Sequence, residues 1–213
     1  MSEYINMIGE TCLMPAITIN DANKAVDVAK AFLKGGQPVA EVTMRTPEAA
    51  EAIKRITNET EFIVGAGTVL TISQAQSAID AGAKFLVTPG LNPNVVKYAH
   101  EKNVEIIPGV CTPSEIELAL SFGIKILKFF PANVMGGAKM LKALAGPYSM
   151  VKFIPMGGLN ASNMREYLSL SNVFALGGTW MAKSDIIDRG AFDIIEELTR
   201  EAVMNIKNIK TLG

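Results

Sequence analysis

The sequence predicts a single (β/α)8 TIM barrel with an N-terminal helical extension, and three observations support this fold class. Eight short apolar segments rich in β-branched residues begin 19 to 26 residues apart along the 213-residue chain. A helical pattern follows each segment, and this alternation is typical of a parallel sheet that closes into a barrel. No Ser/Gly-rich linker or shift in composition divides the chain, so residues 1–213 are predicted to form one domain.

The predicted strands are Cys12–Ile19, Pro38–Met44, Phe62–Val69, Phe85–Pro89, Val104–Val110, Ile126–Ala132, Lys152–Gly158 and Val173–Trp180. The first ten residues precede them and are predicted to form an extra helix or arm that covers the bottom of the barrel. An open doubly wound sheet is the rival fold. It would be expected to carry a glycine-rich dinucleotide fingerprint after the first strand, and residues 19–23 contain no glycine.

Capping residues and prolines precede the predicted helices, because a side-chain oxygen or a missing N–H suits the first turn of a helix. The starts marked in this way are Asn20-Asp21 before Ala22–Leu33, Thr46-Pro47-Glu48 before Ala49–Ile56, Asn92-Pro93 before Asn94–Glu101, and a capping box of Thr112 and Glu115. Asn160 or Ser162 is predicted to cap the helix after the seventh strand. Asp193 lies at the start of the last helix or within it, and Gly82 and Gly123 are predicted to end two helices.

Composition excludes several classes of protein. Hydrophobic residues make up 49% of the chain and charged residues 19%, which is enough for a large core and unlike a disordered chain. The net charge is −1 without a block of like charge, so neither nucleic acid nor a membrane is predicted as a partner. No apolar run of about 18 residues and no signal peptide is found, which favours a cytoplasmic protein. Cys12 and Cys111 are predicted to be free, buried thiols.

The one histidine, His100, lies within a helix-like stretch and is predicted to be a surface residue. A zinc site of the usual kind draws on several histidine or cysteine ligands, and the sequence holds no such cluster. A histidine-based triad is disfavoured as well, because the histidine falls in mid-helix rather than at the end of a strand. No metal ion and no cofactor is therefore predicted.

A lysine lies inside the sixth predicted strand. Side chains alternate along a strand, so Lys128 and Phe130 project into the barrel when Phe129 packs against the helices. A buried amine is either paired or neutral, and Schiff-base formation on a carbonyl substrate requires a neutral amine. A lysine that reaches solvent along its side chain is the structural alternative. Other lysines fit the role less well, since they lie at strand starts or beyond the last strand: Lys125, Lys152 and Lys183.

The second predicted strand contributes two charges. By alternation, Glu41, Thr43 and Arg45 share one face of this strand. The apolar Val42 and Met44 share the other face, which is expected to pack against the helices. Glu41 and Arg45 then point inward or to the upper rim, where barrel active sites are assembled. Either they form an internal salt bridge, or Arg45 grips a carboxylate and Glu41 transfers protons.

Paired glycines end the seventh and eighth predicted strands, at Gly157-Gly158 and Gly177-Gly178. The loops after these two strands commonly bind phosphate in barrels of this kind, through backbone N–H groups. Thr179 could add a hydroxyl group. Tight turns that need glycine for their own geometry are the structural alternative.

Together these residues suggest a mechanism for a 2-oxo acid substrate. Lys128 attacks the 2-oxo carbon, and the protonated imine then serves as an electron sink. Glu41 moves protons during imine formation and takes the proton from the hydroxyl next to the breaking C–C bond. Arg45 and Thr68 hold the substrate carboxylate, and a phosphate at the far end rests on the glycine pairs.

Five motifs resemble the 2-keto-3-deoxy-6-phosphogluconate (KDPG) aldolase family, including its bifunctional members that also cleave 4-hydroxy-2-oxoglutarate (KHG). They are Glu41-Val42-Thr43-Met44-Arg45-Thr46, Gly65-Ala66-Gly67-Thr68-Val69, Thr88-Pro89-Gly90, Pro108-Gly109-Val110 and Lys128-Phe129-Phe130-Pro131-Ala132. The resemblance covers nearly the whole chain. It implies a class I aldolase on a (β/α)8 barrel, usually a homotrimer, in the bacterial Entner–Doudoroff or sugar-acid routes. Its products would be pyruvate and glyceraldehyde 3-phosphate, or pyruvate and glyoxylate from KHG.

By position, the resemblance makes Lys128 the Schiff-base lysine and Glu41 the proton-transfer group. It also implies a set of substrate contacts, in which some residues face pyruvate, one forms a wall and the rest hold phosphate. These are Arg45, Thr68 and Phe130 for pyruvate, Pro89 for the wall, and Gly157, Gly158, Gly178 and Thr179 for phosphate.

Three positions depart from the family pattern. Met156 stands where many members carry threonine, and Thr88 and Thr179 stand where serine is common. These departures leave open which aldehyde is preferred and how phosphate is held. The alternatives are a phosphogalactonate-type aldolase of the same chemistry, a phosphate-binding barrel isomerase or synthase that uses Glu41 as base, and a non-catalytic barrel that binds a sugar phosphate.

Overall fold

The computed structural model describes residues 2–211; Met1, Leu212 and Gly213, which belong to the predicted domain 1–213, lie outside the described residues. The strands are β1 (Leu13–Ile17), β2 (Val39–Thr43), β3 (Ile63–Gly67), β4 (Phe85–Val87), β5 (Glu105–Ile107), β6 (Gly109–Val110), β7 (Ile126–Phe129), β8 (Lys152–Pro155) and β9 (Leu176–Gly178). The helices are α1 (Glu3–Thr11), α2 (Ala25–Lys34), α3 (Ala49–Glu59), α4 (Ile72–Asp80), α5 (Pro93–Glu101), α6 (Pro113–Ser121), α7 (Gly137–Leu144), α8 (Met164–Leu168), α9 (Ser184–Asp188) and α10 (Phe192–Thr211).

The strands are parallel and close into the predicted barrel. One sheet has the order β5-β4-β3-β2-β1-β9, and the other has the order β6-β7-β8. The two sheets meet at two seams. At the first, β5 and β6 are consecutive parts of one strand, separated by Pro108; at the second, Phe153 of β8 forms a parallel bridge to Val173 just before β9. The predicted fold class is therefore confirmed, with β5 and β6 together in the fifth position.

Each of the eight predicted strands is longer than the observed one. The fifth, Val104–Val110, is interrupted because Pro108 has no N–H to donate, although its carbonyl accepts from the Lys128 N–H at 2.9 Å. The eighth, Val173–Trp180, keeps regular pairing only in β9. Other predicted strand ends also lie in loops, since the chain turns away from the barrel there toward the next helix: Ile19, Met44, Val69, Pro89, Ala132 and Gly158.

Two apolar cores lie on opposite sides of the barrel wall. Val42 of β2 and Phe129 of β7 belong to the core between the strands and the helices. Met14, Phe85 and Ile154 belong to a second core that fills the barrel interior. Fully burying a side chain of this size contributes about 1.5–3 kcal/mol, so both cores contribute to stability. The predicted alternation along β2 and β7 is confirmed.

Helix α1 covers the bottom of the barrel, as the sequence predicts for the first residues. Its apolar face presents Ile5 and Ile8, which are buried in the interior core. Met14 and Val39, at the starts of β1 and β2, belong to the same cluster. Because this end is closed by a helix, the opposite end of the barrel remains for polar side chains.

Several of the predicted caps are confirmed. Asp21 and Asn92 accept backbone hydrogen bonds at helix starts, and Thr112 forms the capping box with Glu115. Helix ends at Gly82 and Gly123 show the left-handed backbone that glycine favours, with φ of 98° and 78°. The predicted helix Ala22–Leu33 begins as a 3-10 turn at Ala22–Lys24 before α2.

One further helix start is confirmed, and one predicted cap is wrong. Helix α3 begins at Ala49 as predicted, with Glu48 at the N-cap position, while the Thr46 hydroxyl donates to the Ile19 carbonyl at 2.6 Å. Asn160 and Ser162 do not cap α8, since the Asn160 side chain accepts from the Ser162 N–H in the preceding turn. Asn163 holds the N-cap position there instead. Asp193 lies in the first turn of α10, as predicted.

The cysteines are both free, but their surroundings differ. Cys12 is buried as predicted, whereas Cys111 is only half-buried, because it lies in the loop between β6 and α6. Burial, followed by a hydrogen bond and charge from Glu115, raises the pKa of the Cys111 thiol. Burial also acts to raise the pKa of Glu115, but hydrogen bonds from Cys111 and Thr112 outweigh it and lower that pKa overall.

The remaining sequence expectations concern helices and metal ligands. His100 is exposed on α5, as predicted. Within residues 2–211, no helix is both long and apolar enough to cross a membrane. The same residues contain no group of three or more histidine, cysteine, aspartate or glutamate side chains placed to hold a metal ion.

Candidate active site

Lys128 lies on β7 and points into the barrel. Its neighbours in register are Gly109 of β6 and Ile154 of β8, so both sides of the residue are occupied by backbone. The residue is 4% exposed, and its Nζ lies 5.2 Å from the centre of the Phe130 ring. The alternative of a lysine that reaches solvent is therefore wrong: the side chain stays inside the barrel, beside an aromatic face.

Glu41 reaches toward Lys128 from β2 across the barrel interior. Glu41 Oε1 lies 3.4 Å from Lys128 Nζ, and Glu41 is 1% exposed. The second oxygen, Oε2, is also buried and has no hydrogen-bond partner among residues 2–211. An acceptor left unsatisfied in an interior costs about 1–3 kcal/mol, and such groups in folded proteins often mark functional sites. The carboxylate thus has one paired oxygen and one available to a ligand.

Arg45 does not pair with Glu41, so the predicted alternative of an internal salt bridge is wrong. Arg45 follows the end of β2 and is exposed at the rim, while the Glu41 carboxylate is buried deeper. Arg45 Nε donates to Thr68 Oγ1 at 3.2 Å. Among residues 2–211, no carboxylate lies within 4.0 Å of its guanidinium. The planar guanidinium group of Arg45 is therefore available to an anionic ligand.

Thr68, directly after β3, has a strained backbone. Its φ is 55°, in the left-handed region that a β-branched residue rarely adopts. Such a conformation costs about 1–3 kcal/mol and is found most often at active sites and ligand clamps. The turn directs the Thr68 hydroxyl to Arg45, and the structure therefore brings these two predicted site residues together.

Pro89 lies half-buried after β4, next to the backbone of Gly109. A side chain on Gly109 would overlap the Pro89 carbonyl, so glycine is needed there for the two loops to approach each other. Thr88 holds the same turn by donating to the Gly90 carbonyl at 2.6 Å and accepting from the Gly109 N–H at 3.4 Å. Thr88 therefore stabilises the conformation of this loop.

Gly157 and Gly158 follow β8 with φ of 94° and 83°, and in this left-handed region glycine is favoured. A Cβ on Gly157 would lie 3.4 Å from the Phe130 ring, so this loop borders the residue that packs on Lys128. No acceptor among residues 2–211 receives the N–H of Gly157 or Gly158. Gly178 ends β9 buried against the Trp180 ring, and Thr179 is exposed after it.

Met156 lies inside the barrel next to the site. It is 3% exposed, belongs to the interior core, and packs closely on Gly177 of β9. The place where many family members carry a hydroxyl is therefore filled by an apolar, flexible side chain.

Two contacts at the site were not predicted from the sequence. Gly67 packs directly against the Glu41 carboxyl group, and Thr18 Oγ1 lies 2.8 Å from Thr43 Oγ1 at the end of β2. Alternation gave a signal for the first, because it places Gly65 and Gly67 on the inward face of β3. The second joins residues 25 positions apart, and no local pattern indicates it.

The buried lysine–carboxylate pair lies near the end of the parallel barrel that α1 does not cover, which is the end where barrel enzymes have their active sites. This arrangement is that of a barrel enzyme. Comparison with known proteins identifies the group within that class. A family model described as KDPG and KHG aldolase matches residues 5–198. The chain therefore belongs to the KDPG and KHG aldolase family, whose members are carbon–carbon lyases.

Individual relatives agree with this assignment. The KHG/KDPG aldolase of Escherichia coli K12 is 44% identical over 196 residues, which cover 92% of each chain. A KDPG aldolase from Legionella pneumophila, solved with pyruvate captured at low pH as a covalent carbinolamine intermediate, has a TM-score of 0.90 at 36% identity, covering 94% of this chain and 98% of that one. The KDPG aldolase of Zymomonas mobilis ZM4 with 3-phosphoglycerate has a TM-score of 0.86 at 35% identity, with coverages of 93% and 94%.

Proposed function

We propose that the protein is a class I aldolase that reversibly cleaves KDPG to pyruvate and glyceraldehyde 3-phosphate, and also KHG to pyruvate and glyoxylate. The observation that carries this proposal is the buried pair of Lys128 and Glu41, with 3.4 Å between Nζ and Oε1. A nucleophilic amine beside a proton-transfer group is the arrangement that imine chemistry requires. The carbinolamine in the Legionella pneumophila relative supports the same chemistry here.

Imine formation begins at Lys128. Its ammonium gives one proton to Glu41, and the neutral Nζ then attacks the 2-oxo carbon. A second proton passes from the nitrogen to the carbonyl oxygen, which becomes the hydroxyl of a carbinolamine. Glu41 then gives its proton to that hydroxyl, which leaves as water. The product is a protonated imine, whose positive charge can accept an electron pair in the next step.

Cleavage follows at the bond between C3 and C4. Glu41 removes the proton from the C4 hydroxyl, the C3–C4 electron pair moves into the protonated imine, and the aldehyde departs. The enamine that remains is protonated at C3 and hydrolysed, which releases pyruvate and the free amine. Proton transfer by a positioned group contributes about 10²–10⁴-fold to the rate, and Glu41 lies within reach of the nitrogen.

The carboxylate of the 2-oxo acid is held by Arg45 and Thr68 in this proposal. The Arg45 guanidinium has no carboxylate partner within residues 2–211, and its fork matches a carboxylate in shape. In this proposal Phe130, whose ring centre lies 5.2 Å from Lys128 Nζ, borders the pyruvate carbons, and Pro89 forms a wall of the substrate site. Both restrict how the three carbons of pyruvate can be oriented.

A phosphate group at the far end of the substrate is held by Gly157, Gly158, Gly178 and Thr179. The N–H groups of Gly157 and Gly158 have no acceptor among residues 2–211, which leaves them available as phosphate donors. The 3-phosphoglycerate in the Zymomonas mobilis relative supports a site for phosphorylated ligands in this family. The exposed Thr179 adds a hydroxyl donor.

Further properties are proposed from the family resemblance. The whole chain, residues 1–213, forms one domain that acts in the cytoplasm as a homotrimer. It uses a small-molecule substrate, needs neither metal nor cofactor, and has neither nucleic acid nor membrane as a partner. Sedimentation of the purified protein measures the assembly directly, and activity in the presence of a chelator measures the need for metal.

The test of the proposed function is pyruvate release. Wild-type protein is assayed with KDPG, its C4 epimer and KHG, together with Lys128→Ala and with Lys125→Ala as a control at an exposed lysine. We expect release from KDPG and KHG that is lost in Lys128→Ala and kept in Lys125→Ala. Release that survives in Lys128→Ala would contradict the mechanism. Preference for the epimer would point to the phosphogalactonate-type alternative.

A further inference from the structure

We propose that Gly67 is a positioning residue, whose lack of a side chain gives the Glu41 carboxyl group its place beside Lys128. The proposal presupposes the aldolase mechanism above and assigns a part in it to a residue that contacts no substrate. Gly67 would act only through Glu41.

The position of Gly67 follows from the register of β2 and β3. Glu41 pairs with Gly65, and Thr43 pairs with Gly67, so Gly67 lies two residues closer to the carboxyl end of the sheet than Glu41 does. The Glu41 side chain extends in that direction and crosses in front of Gly67. A Cβ built on Gly67 would lie 2.7 Å from Glu41 Cδ and 2.8 Å from Oε1.

These distances leave no room for a methyl group. Carbon atoms in contact are about 3.5–4.0 Å apart, so alanine at this position would displace the carboxyl group by about 1 Å. Oε1 is the oxygen paired with Lys128, and Oε2 has no partner among residues 2–211. Packing on Gly67 therefore fixes where the carboxylate lies, because no second hydrogen bond from those residues holds it.

A displacement of this size matters for proton transfer. Misplacing a reacting group by about 1 Å typically costs about 10²-fold in rate. Glu41 must reach both the Lys128 nitrogen and the C4 hydroxyl, so its displacement affects imine formation as well as cleavage. Substrate binding through Arg45 does not depend on the carboxylate. The expected signature is a lower kcat with little change in KM.

Gly65 provides a matched control on the same strand and the same inward face. A Cβ on Gly65 would overlap the ring of Phe85, which lies in the interior core and not at the site. The ring is less free to move than the end of a glutamate side chain. Gly65→Ala is therefore expected to lose more thermal stability than Gly67→Ala, whereas Gly67→Ala is expected to lose more activity.

The experiment compares Gly67→Ala, Gly65→Ala, Glu41→Gln and Glu41→Gln/Gly67→Ala, using KDPG cleavage and thermal unfolding. We expect kcat of Gly67→Ala to fall about 10²-fold with KM nearly unchanged. Gly65→Ala should lose much less kcat than Gly67→Ala, because its Cβ meets the Phe85 ring and not the Glu41 carboxyl group. In the Glu41→Gln background, Gly67→Ala should add less than about twofold, because the proton-transfer group is already lost.

Several outcomes would overturn the proposal. Gly67→Ala with wild-type kcat would do so, as would an equal loss of kcat with and without Glu41. Wild-type protein that cleaves neither KDPG nor KHG would refute the proposed function itself, and the role of Gly67 with it. Should Gly67→Ala not fold, Glu41→Asp/Gly67→Ala is expected to fold, since the shorter side chain makes room. Failure of that variant as well would also overturn the proposal, because the clash would then not involve Glu41.

Discussion

Removing only one member of the Lys128–Glu41 pair should cost far more stability than removing both. The two charges are 3.4 Å apart and both side chains are buried. At an effective dielectric constant of about 20, their attraction is about 5 kcal/mol. Taking two charges from water costs several kcal/mol for each, so the intact pair is close to neutral in free energy. Glu41→Met leaves a buried amine alone and should lower the free energy of unfolding by about 3–5 kcal/mol.

The double variant Glu41→Met/Lys128→Met should recover most of that loss, because no buried charge remains. Urea unfolding of wild type, Glu41→Met and the double variant measures these free energies of unfolding. Arg189→Met provides a control for an exposed ion pair. Arg189 and Asp185 form a pair at 3.3 Å with side chains 66% and 69% exposed, and its loss should cost about 0–1 kcal/mol. A Glu41→Met variant as stable as wild type would refute the buried pairing. All variants of Glu41 and Lys128 should lose cleavage activity, including the double variant that recovers stability.

Three further predictions test the substrate contacts and one helix start. Arg45→Gln should raise KM for KDPG about 10–100-fold, because a charged hydrogen bond contributes about 1.5–3 kcal/mol; an unchanged KM would exclude carboxylate binding by Arg45. Gly158→Ala should weaken the binding of KDPG, measured as KM, more than that of KHG, which has no phosphate. An equal rise in KM for both substrates would argue against the phosphate site. Glu115→Gln should cost about 1 kcal/mol of unfolding free energy at neutral pH. Since folding lowers the pKa of Glu115, this contribution is present above about pH 4.3 and is lost as the pH falls through the folded value, so a difference between wild type and variant that persists in acid would contradict it.

Alternation along single strands accounts for what the sequence could predict of the site. The period of two placed Lys128 inside the barrel and Phe129 outside it, and it placed Glu41 on the inward face of β2. Repeated strand–helix spacing predicted the closed parallel sheet in the same way. Each of these features depends on residues close together in the sequence, so a local pattern is enough to predict it.

Local patterns do not show which distant residues are in contact, although the mechanism suggested by the sequence requires Glu41 to lie near Lys128. Glu41 and Lys128 are 87 positions apart, and only closure of the barrel brings β2 and β7 into reach of each other. The left-handed backbone of Thr68 goes against its local preference, since the surrounding loop imposes that conformation. Likewise, no local pattern indicates that the chain shifts at Pro108 from pairing with β4 to pairing with β7.

Covalent trapping tests the central claim most directly. The protein is incubated with pyruvate, treated with borohydride to reduce any imine, and mapped by peptide mass spectrometry. The mechanism predicts one reduced pyruvate adduct, on Lys128, that is absent in Lys128→Ala and kept in Lys125→Ala. The absence of an adduct, or an adduct on another lysine that is retained in Lys128→Ala, would contradict Lys128 as the nucleophile.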